Sequence, residues 1–439
     1  MRLYKTSSAL EEELGMQYYS SERPALGGVL RRLPEDFVVN EITPEGIEAG
    51  PDLWSLDRGQ GGHTLALLKK VSRDQLSVIS YLSSRLGAQV GFAGIKDRQA
   101  VTYQIISIGR RLEQVEVPYD LHDMELRVVG YSRWPVQPGD LKGNRFTIAI
   151  RSISPASLQP VTAAAPVEWA LNYYGHQRFG TTRPNTHKVG RLMVRRDYEG
   201  AVREFLAAAY PWEPSAIRVA RSELATGWDL NAALRSFPAS LSFERRVIER
   251  LLSRPSDYEG CLHSLPQTLL RLFVDAYQSY LFNLALSQRH AQHGVREIEI
   301  GDFVAPLDKW GSPSRPFRCN ASNVSNLRSM VRSGRAVTMV RVIGEKSDFG
   351  GTEGGIYASL LEKEGIIIGD FRSVAGMHFE GALRAATFTP INCVMMDGPD
   401  DMDGGKRKLT VRMTLPKSCY ATVILREIMR PADLAASGF

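Results

Sequence analysis

"GFAGIKDRQAVTYQ", residues Gly91 to Gln104, holds the turn on which the reading of this chain depends. Two glycines, Gly91 and Gly94, lead into three adjacent charges, Lys96, Asp97 and Arg98. A β-like run, "TYQIISIG" (Thr102 to Gly109), follows at once. Upstream, "DQLSVISYLSSRLG" (Asp74 to Gly87) places Leu76, Ile79, Tyr81 and Leu82 near helical spacing, with Gly87 as a stop signal. The order is therefore helix, glycine loop, strand. If Ile95 to Gln99 is extended, successive side chains point to opposite faces. Asp97 then faces away from Lys96 and Arg98, and any cation that keeps it ionised comes from elsewhere in the fold. Taken alone, the stretch fits either a solvated surface turn or a loop presenting one carboxylate as nucleophile or base.

Working outward, residues 7 to 17 read as a short amphipathic helix, broken off by Gly27 and Gly28. Strand character appears at "DFVVNEITP" (Asp36 to Pro44), "ELRVVGYS" (Glu125 to Ser132) and "NRFTIAIRSI" (Asn144 to Ile153), the last two separated by the turn-rich "PVQPGDLKG". The first 155 residues thus read as a sheet with few helices, an α+β pattern. Ser, Pro and Ala dominate Pro155 to Pro166, and beyond them the chain turns helical. Phe273, Ala276, Tyr277, Tyr280, Leu281 and Leu284 form an apolar stripe within Phe273 to His293, as core packing requires. "REIEIGDFV" (Arg296 to Val304) and "RAVTMVRVIG" (Arg335 to Gly344) predict further strands. The chain closes with a strand, "KLTVRMTLP" (Lys408 to Pro416), and a helix, "SCYATVILREIM", capped by Ser418.

At 439 residues two or three domains are expected. Hydrophobic content of 43% and charged content of 23% are those of a folded protein, and the net charge of +6 suits a polyanionic partner without requiring one. Cys261, Cys319, Cys393 and Cys419 show no CxxC pairing, which speaks against a zinc ribbon or disulfide framework and fits a reducing cytosol. No run approaches the ~18 to 20 apolar residues of a membrane span, and no signal core opens the sequence, so a cytoplasmic protein is expected. "HAQH" (His290, His293) lacks partners for a metal and reads as a surface helix end. There is no phosphate loop, dinucleotide turn or serine-hydrolase elbow, and "GGTEGG" (Gly350 to Gly355) reads as a flexible loop. No cofactor and no metal are expected.

Nucleic acid is the better-supported partner. Asn172 to Arg196 interleaves Tyr173, Tyr174 and Phe179 with Arg178, Arg183, Lys188, Arg191, Arg195 and Arg196, and contains no carboxylate. Crowded cations of this kind suit phosphates, and aromatics among them suit stacking on unpaired bases. The competing reading is a basic face paired with acids elsewhere. "GGKRK" (Gly404 to Lys408) is either a basic hairpin tip or a solvated turn.

The opening stretch has company. It resembles the GxKDxxAxTxQ motif of TruD-type tRNA pseudouridine synthases. Further matches, in order, are "LPEDFVVNE" (Leu33 to Glu41), "GNRFTIAIR" (Gly143 to Arg151), "NYYGHQRFG" (Asn172 to Gly180), "AYQSYLFN" (Ala276 to Asn283) and "LPKSCYATVILREIM" (Leu415 to Met429). The length and the "TTRPNTHKVG" continuation look like the archaeal branch. The resemblance implies a pseudouridine synthase catalytic domain with a mixed or antiparallel sheet, built from residues 1–166 and 375–439. An inserted α/β TruD-specific domain would occupy residues 167–374. It implies isomerisation of uridine to pseudouridine in tRNA, at uridine 13 in the D-arm, without a cofactor; a monomer is expected, although the sequence does not fix the oligomeric state. The family's catalytic aspartate falls on Asp97, which either attacks C1′ or removes a proton at C2′. Asn144 and Phe146 share one strand face. Phe146 would stack on the uracil, and Asn144 would bond near the carboxylate or cap a turn. Lys96, Arg178 and Phe179 are further substrate-binding candidates, Arg178 and Phe179 lining the cleft or closing the domain junction with Gln177. Tyr277, Gln278 and Asn283 are expected to pack. The alternatives are an RNA-binding or RNA-folding protein without catalysis, and a base-excising glycosylase.

Overall fold

The run after the charged triplet is dense in β-branched and aromatic residues, which fit a pleated surface, and it forms a strand. The computed structural model describes residues 2–114, 123–163 and 167–439. In chain order its main strands are β1 Phe37–Ile42, β2 His63–Val71, β3 Val90–Phe92, β4 Val101–Ile108, β5 Met124–Ser132, β6 Gly143–Ile153, β7 Phe303–Pro306, β8 Phe317–Arg318, β9 Ala336–Val342, β10 Ala382–Ala385, β11 Ile391–Pro399 and β12 Arg407–Pro416. Strands from both ends of the chain join in one eight-stranded sheet, ordered β11-β12-β6-β1-β4-β2-β5 with β3 on β4. Every ladder in it is antiparallel except β1 on β4. The fold is α+β around a mixed sheet.

Helices α1 Gln75–Leu86, α2 Thr186–Val194, α3 Gln267–Gln292 and α4 Ala421–Met429 carry the packing that matters for the site. α1 starts where the Asp74 side chain accepts from the Ser77 amide (2.9 Å) and stops at Gly87 in the left-handed region (φ 56°). Its buried side is Val78, Ile79 and Leu82; Leu76 and Tyr81, expected on the apolar stripe, face solvent. The cause is register: i, i+1 and i+4 from Val78 point at β2 and β4, about a third of a turn away from Leu76. Ser418 does not cap α4. It adopts a left-handed φ of 65° in the preceding turn, and Tyr420 occupies the cap position without a side-chain bond.

α1 and α4 cover the same sheet face at different places. α1 packs on Ala66, Leu68, Ile106 and Ile108. α4 packs on Phe37, Val39, Phe146, Ile148 and Met413 through residues such as Ile424 and Ile428. The opposite face is a separate cluster of Leu65, Leu67, Ile105 and Val129.

The middle of the chain makes a second packed body. Its core runs from Val189 and Met193 on α2 through Phe273, Tyr277 and Leu281 on α3 to Phe371 and Phe379. Beside it lies a four-stranded antiparallel sheet, β8-β7-β9-β10. β10, together with Ala375, Met377 and Phe379, belongs to this packing, past residue 374. α3 carries the expected stripe, with Phe273, Ala276, Tyr277 and Leu281 buried and Tyr280 and Leu284 partly so. Three local expectations change. Pro155–Ala163 is helical, with Leu158 and Val161 buried, while residues 164–166 of that break lie outside the described ones. Of "REIEIGDFV" only Phe303 and Val304 lie in a strand, because Asp302 is drawn inward onto Arg289 (2.8 Å). "GGTEGG" is not a loose loop: Thr352 bonds Asp302, Glu353 pairs with Arg341 at 3.0 Å, and a helix Glu353–Glu364 starts there.

Candidate active site

The charged loop crosses the sheet face between α1 and α4, where polar side chains replace the apolar floor. Residues opposite each other in a ladder share a face. One transverse row reads Lys70, Thr102, Val39, Phe146 and Met413. In the next row Leu68 pairs with Gln104, while Asn144 lies between Glu41 and Leu415. The loop descends on these rows but does not alternate as an extended segment would: the backbone bends at residues 98–100, so Arg98 does not share the buried side of Lys96. Ile95 is exposed, Lys96 is buried, the Asp97 side chain is 27% exposed, and Arg98 is exposed.

Lys96 does not touch Asp97. Its ammonium pairs with Glu41 at 2.5 Å, both groups being nearly inaccessible, while the other Glu41 oxygen accepts from the Ile105 amide at 3.2 Å. Lys70, also buried, donates to the backbone carbonyls of Asp97 (2.7 Å) and Arg73 (3.0 Å). Burial pushes the Lys70 ammonium down to about 8, against the pull of Asp97 and Asp74. Two lysines therefore fix the loop, one through its own side chain and one through its backbone.

The cation facing Asp97 is Arg31, which the sequence reading did not identify. Its Nη2 lies 3.4 Å from Asp97 Oδ1, and its side chain is only 5% exposed. The guanidinium sits 4.2 Å from the Phe37 ring centroid, and Phe37 meets Phe146 edge-on at 6.1 Å. Burial pulls the Arg31 pKa down and Asp97 pushes it back up. A signal existed: Arg31 lies just upstream of the matched "LPEDFVVNE" segment. Only the fold, however, brings it to residue 97.

The structure thus gathers Asp97, Lys96, Asn144 and Phe146 on one patch and adds Arg31, Lys70, Glu41, Thr102 and Gln104. Asn144 Oδ1, Thr102 Oγ1 and both amide atoms of Gln104 are buried with no protein partner among the described residues. Such groups are costly unless something polar meets them. The other two candidates lie elsewhere. Arg178 pairs with Asp275 (3.6 Å) and donates to Ser279 (3.2 Å) on α3. Phe179 is fully buried against Leu14, Ala276 and His187, so it supports the junction and offers no face to a ligand.

Most cations of the basic stretch Asn172 to Arg196 are paired with acids from elsewhere in the chain. Arg183 pairs with Glu213 and Glu244, Lys188 with Glu13, and Arg191 with Glu364, while Arg195 donates to the Glu364 carbonyl and Tyr173 is buried. The carboxylates missing from the segment come from distant positions. At "GGKRK", Arg407 pairs with Asp397 and Lys408 with Asp401. His290 is buried rather than exposed, and no cluster of three metal-ligating side chains occurs among the described residues. No helix among them is long and apolar enough to cross a membrane.

The sequence matches the family model described as tRNA pseudouridine synthase D (TruD) over residues 13–428. A protein of Methanococcoides burtonii named probable tRNA pseudouridine synthase D is 33% identical, over 98% of this chain and 99% of its own. One of the same name from Pyrococcus furiosus is 33% identical over 96% of this chain and 100% of its own. The crystal structure of a putative tRNA pseudouridine synthase D from Methanosarcina mazei superposes with a TM-score of 0.75 at 31% identity, covering 96% of this chain and 97% of that one. Fold and relatives together define an isomerase that acts on uridine in tRNA. The chain belongs to the tRNA pseudouridine synthase D family.

Proposed function

We propose that the chain converts uridine 13, in the D-arm of tRNA, to pseudouridine, with Asp97 as its one reacting carboxylate. The observation that carries this reading is the pairing of a partly open Asp97 with a buried Arg31, on a loop that two buried lysines hold in place. The target base leaves its stack to reach Asp97. The N1–C1′ bond breaks, the uracil turns within the site, C5 bonds to C1′, C5 loses its proton and N1 gains one. Asp97 serves either by attacking C1′ and being displaced when C5 bonds there, or by taking the C2′ proton and returning it once C5 has bonded to C1′. No water enters the product, unlike hydrolysis between two carboxylates.

Phe146 supplies an apolar edge under the turning ring, and Asn144, the more accessible of the polar side chains there, offers its amide to the imide. Lys96 and Arg178 act as supports, Lys96 through Glu41 and Arg178 through α3. Residues 167–374 form a body inserted into the catalytic one, with packing that continues to β10, and the enzyme works in the cytoplasm. The test is to incubate the protein with an unmodified tRNA transcript and map pseudouridine along it. Product at position 13 is expected. Free uracil with an abasic site, or binding without product, would overturn the reading.

A further inference from the structure

Arg31 is held by more than Asp97. Its Nη1 donates to the Gly438 carbonyl at 3.1 Å, from a segment more than four hundred positions away in sequence. The backbone beside it is stitched to the same segment, since the Leu30 amide donates to the Ser437 carbonyl at 2.9 Å. Gly438 has φ 77°, and a Cβ there would lie 2.3 Å from the Leu30 carbonyl oxygen, so only glycine fits the approach. Phe439 is buried in the cluster beneath α4 and meets the His176 ring edge-on at 5.5 Å. His176 belongs to the "NYYGHQRFG" segment, so residues 437–439 touch both the loop bearing Arg31 and a segment packed against the second body. Just upstream, the Leu26 and Gly27 amides donate to the Ile428 and Met429 carbonyls at the end of α4.

We infer that residues 437–439 are a positioning brace for Arg31, and through it for Asp97, an inference that rests on the role proposed above for Asp97. The Arg31–Asp97 contact, at 3.4 Å, is too long to orient the guanidinium plane by itself. The Gly438 carbonyl and the Phe37 ring fix that plane from two other sides. A planar fork held on three sides keeps one geometry, and misplacing a group near the reacting atoms by about 1 Å costs on the order of 100-fold in rate.

The test compares wild type, Gly438→Val and Phe439→Ala in single-turnover pseudouridine formation, each also in an Arg31→Lys background, with tRNA affinity and Tm measured in parallel. The expected result is a loss of roughly 10- to 100-fold in the single-turnover rate for Gly438→Val. A smaller loss in the same direction is expected for Phe439→Ala, with tRNA Kd unchanged in both. Lysine is a point donor with no fork to orient, so in the Arg31→Lys background the same changes should cost less than about twofold. Wild-type rates in both variants would overturn the inference. So would losses of equal size in the two backgrounds, which would mark the segment as merely structural. Because the comparison is a coupling between positions, it fails independently of whether Asp97→Asn retains activity.

Discussion

At the scale of single residues, the charged triplet divides into three environments: Lys96 buried on Glu41, Asp97 facing Arg31, and Arg98 in solvent. The sequence made part of this legible. The expectation that the cation facing Asp97 comes from elsewhere matches Arg31, whereas the expectation that Lys96 and Arg98 share a face does not hold, because the chain bends after Asp97. The sequence could not name Arg31 or Glu41, because Arg31 lies on the loop before β1 and Glu41 on β1, and only long-range packing brings either to the charged loop. The buried Lys96–Glu41 pair gives a direct prediction. Removing one partner of a buried pair leaves the other charge uncompensated, typically at about 3–5 kcal/mol. Lys96→Met should therefore lower stability in denaturant unfolding by that order, and Lys96→Met with Glu41→Leu should recover only part of it, since the Ile105 amide then loses its acceptor. A Lys96→Met protein as stable as wild type would show that the pair does not hold the loop.

At the scale of elements, α1 and α4 leave a polar strip of sheet uncovered between them, and the loop fills that strip. Strand positions were readable from β-branched runs. The side of α1 that faces the sheet was not, because Leu76 and Tyr81 are as apolar as the residues that are buried. The basic stretch Asn172 to Arg196 misled for a related reason: its partners, such as Glu13, Glu213, Glu244 and Glu364, lie far off in sequence. Its real constraint is packing. Gly190 on α2 lies so close to α3 that a Cβ would stand 2.0 Å from the Phe273 carbonyl oxygen. Gly190→Ala should push the two helices apart and lose about 1–3 kcal/mol, the usual cost of overpacking. An unchanged unfolding midpoint would contradict that closeness.

At the scale of the whole molecule, the discontinuous sheet came to light through resemblance and not through periodicity, since nothing local says that β12 pairs with β6. Among the described residues, the finished packing also buries His176, His187 and His290. Burial is the leading cause in each: it lowers His176 and His290 to about 4 and His187 to about 3, from an ordinary 6.5. Between pH ~6.5 and ~4 the unfolded chain therefore binds protons that the folded chain refuses. Their contribution is fully present above pH ~6.5 and is lost as pH falls toward the folded values. Tm should drop across that window. His187→Phe, which keeps an aromatic ring between Phe179 and Tyr280, should flatten the drop. An identical slope in that variant would show that His187 does not titrate on unfolding.

The measurement closest to the central claim is single-turnover pseudouridine formation on a tRNA transcript by wild type and by Asp97→Asn. Asparagine keeps the shape of the side chain but can neither attack C1′ nor accept a proton from C2′. The rate should fall by about 10³-fold or more while tRNA affinity holds. Wild-type activity in Asp97→Asn would contradict the account.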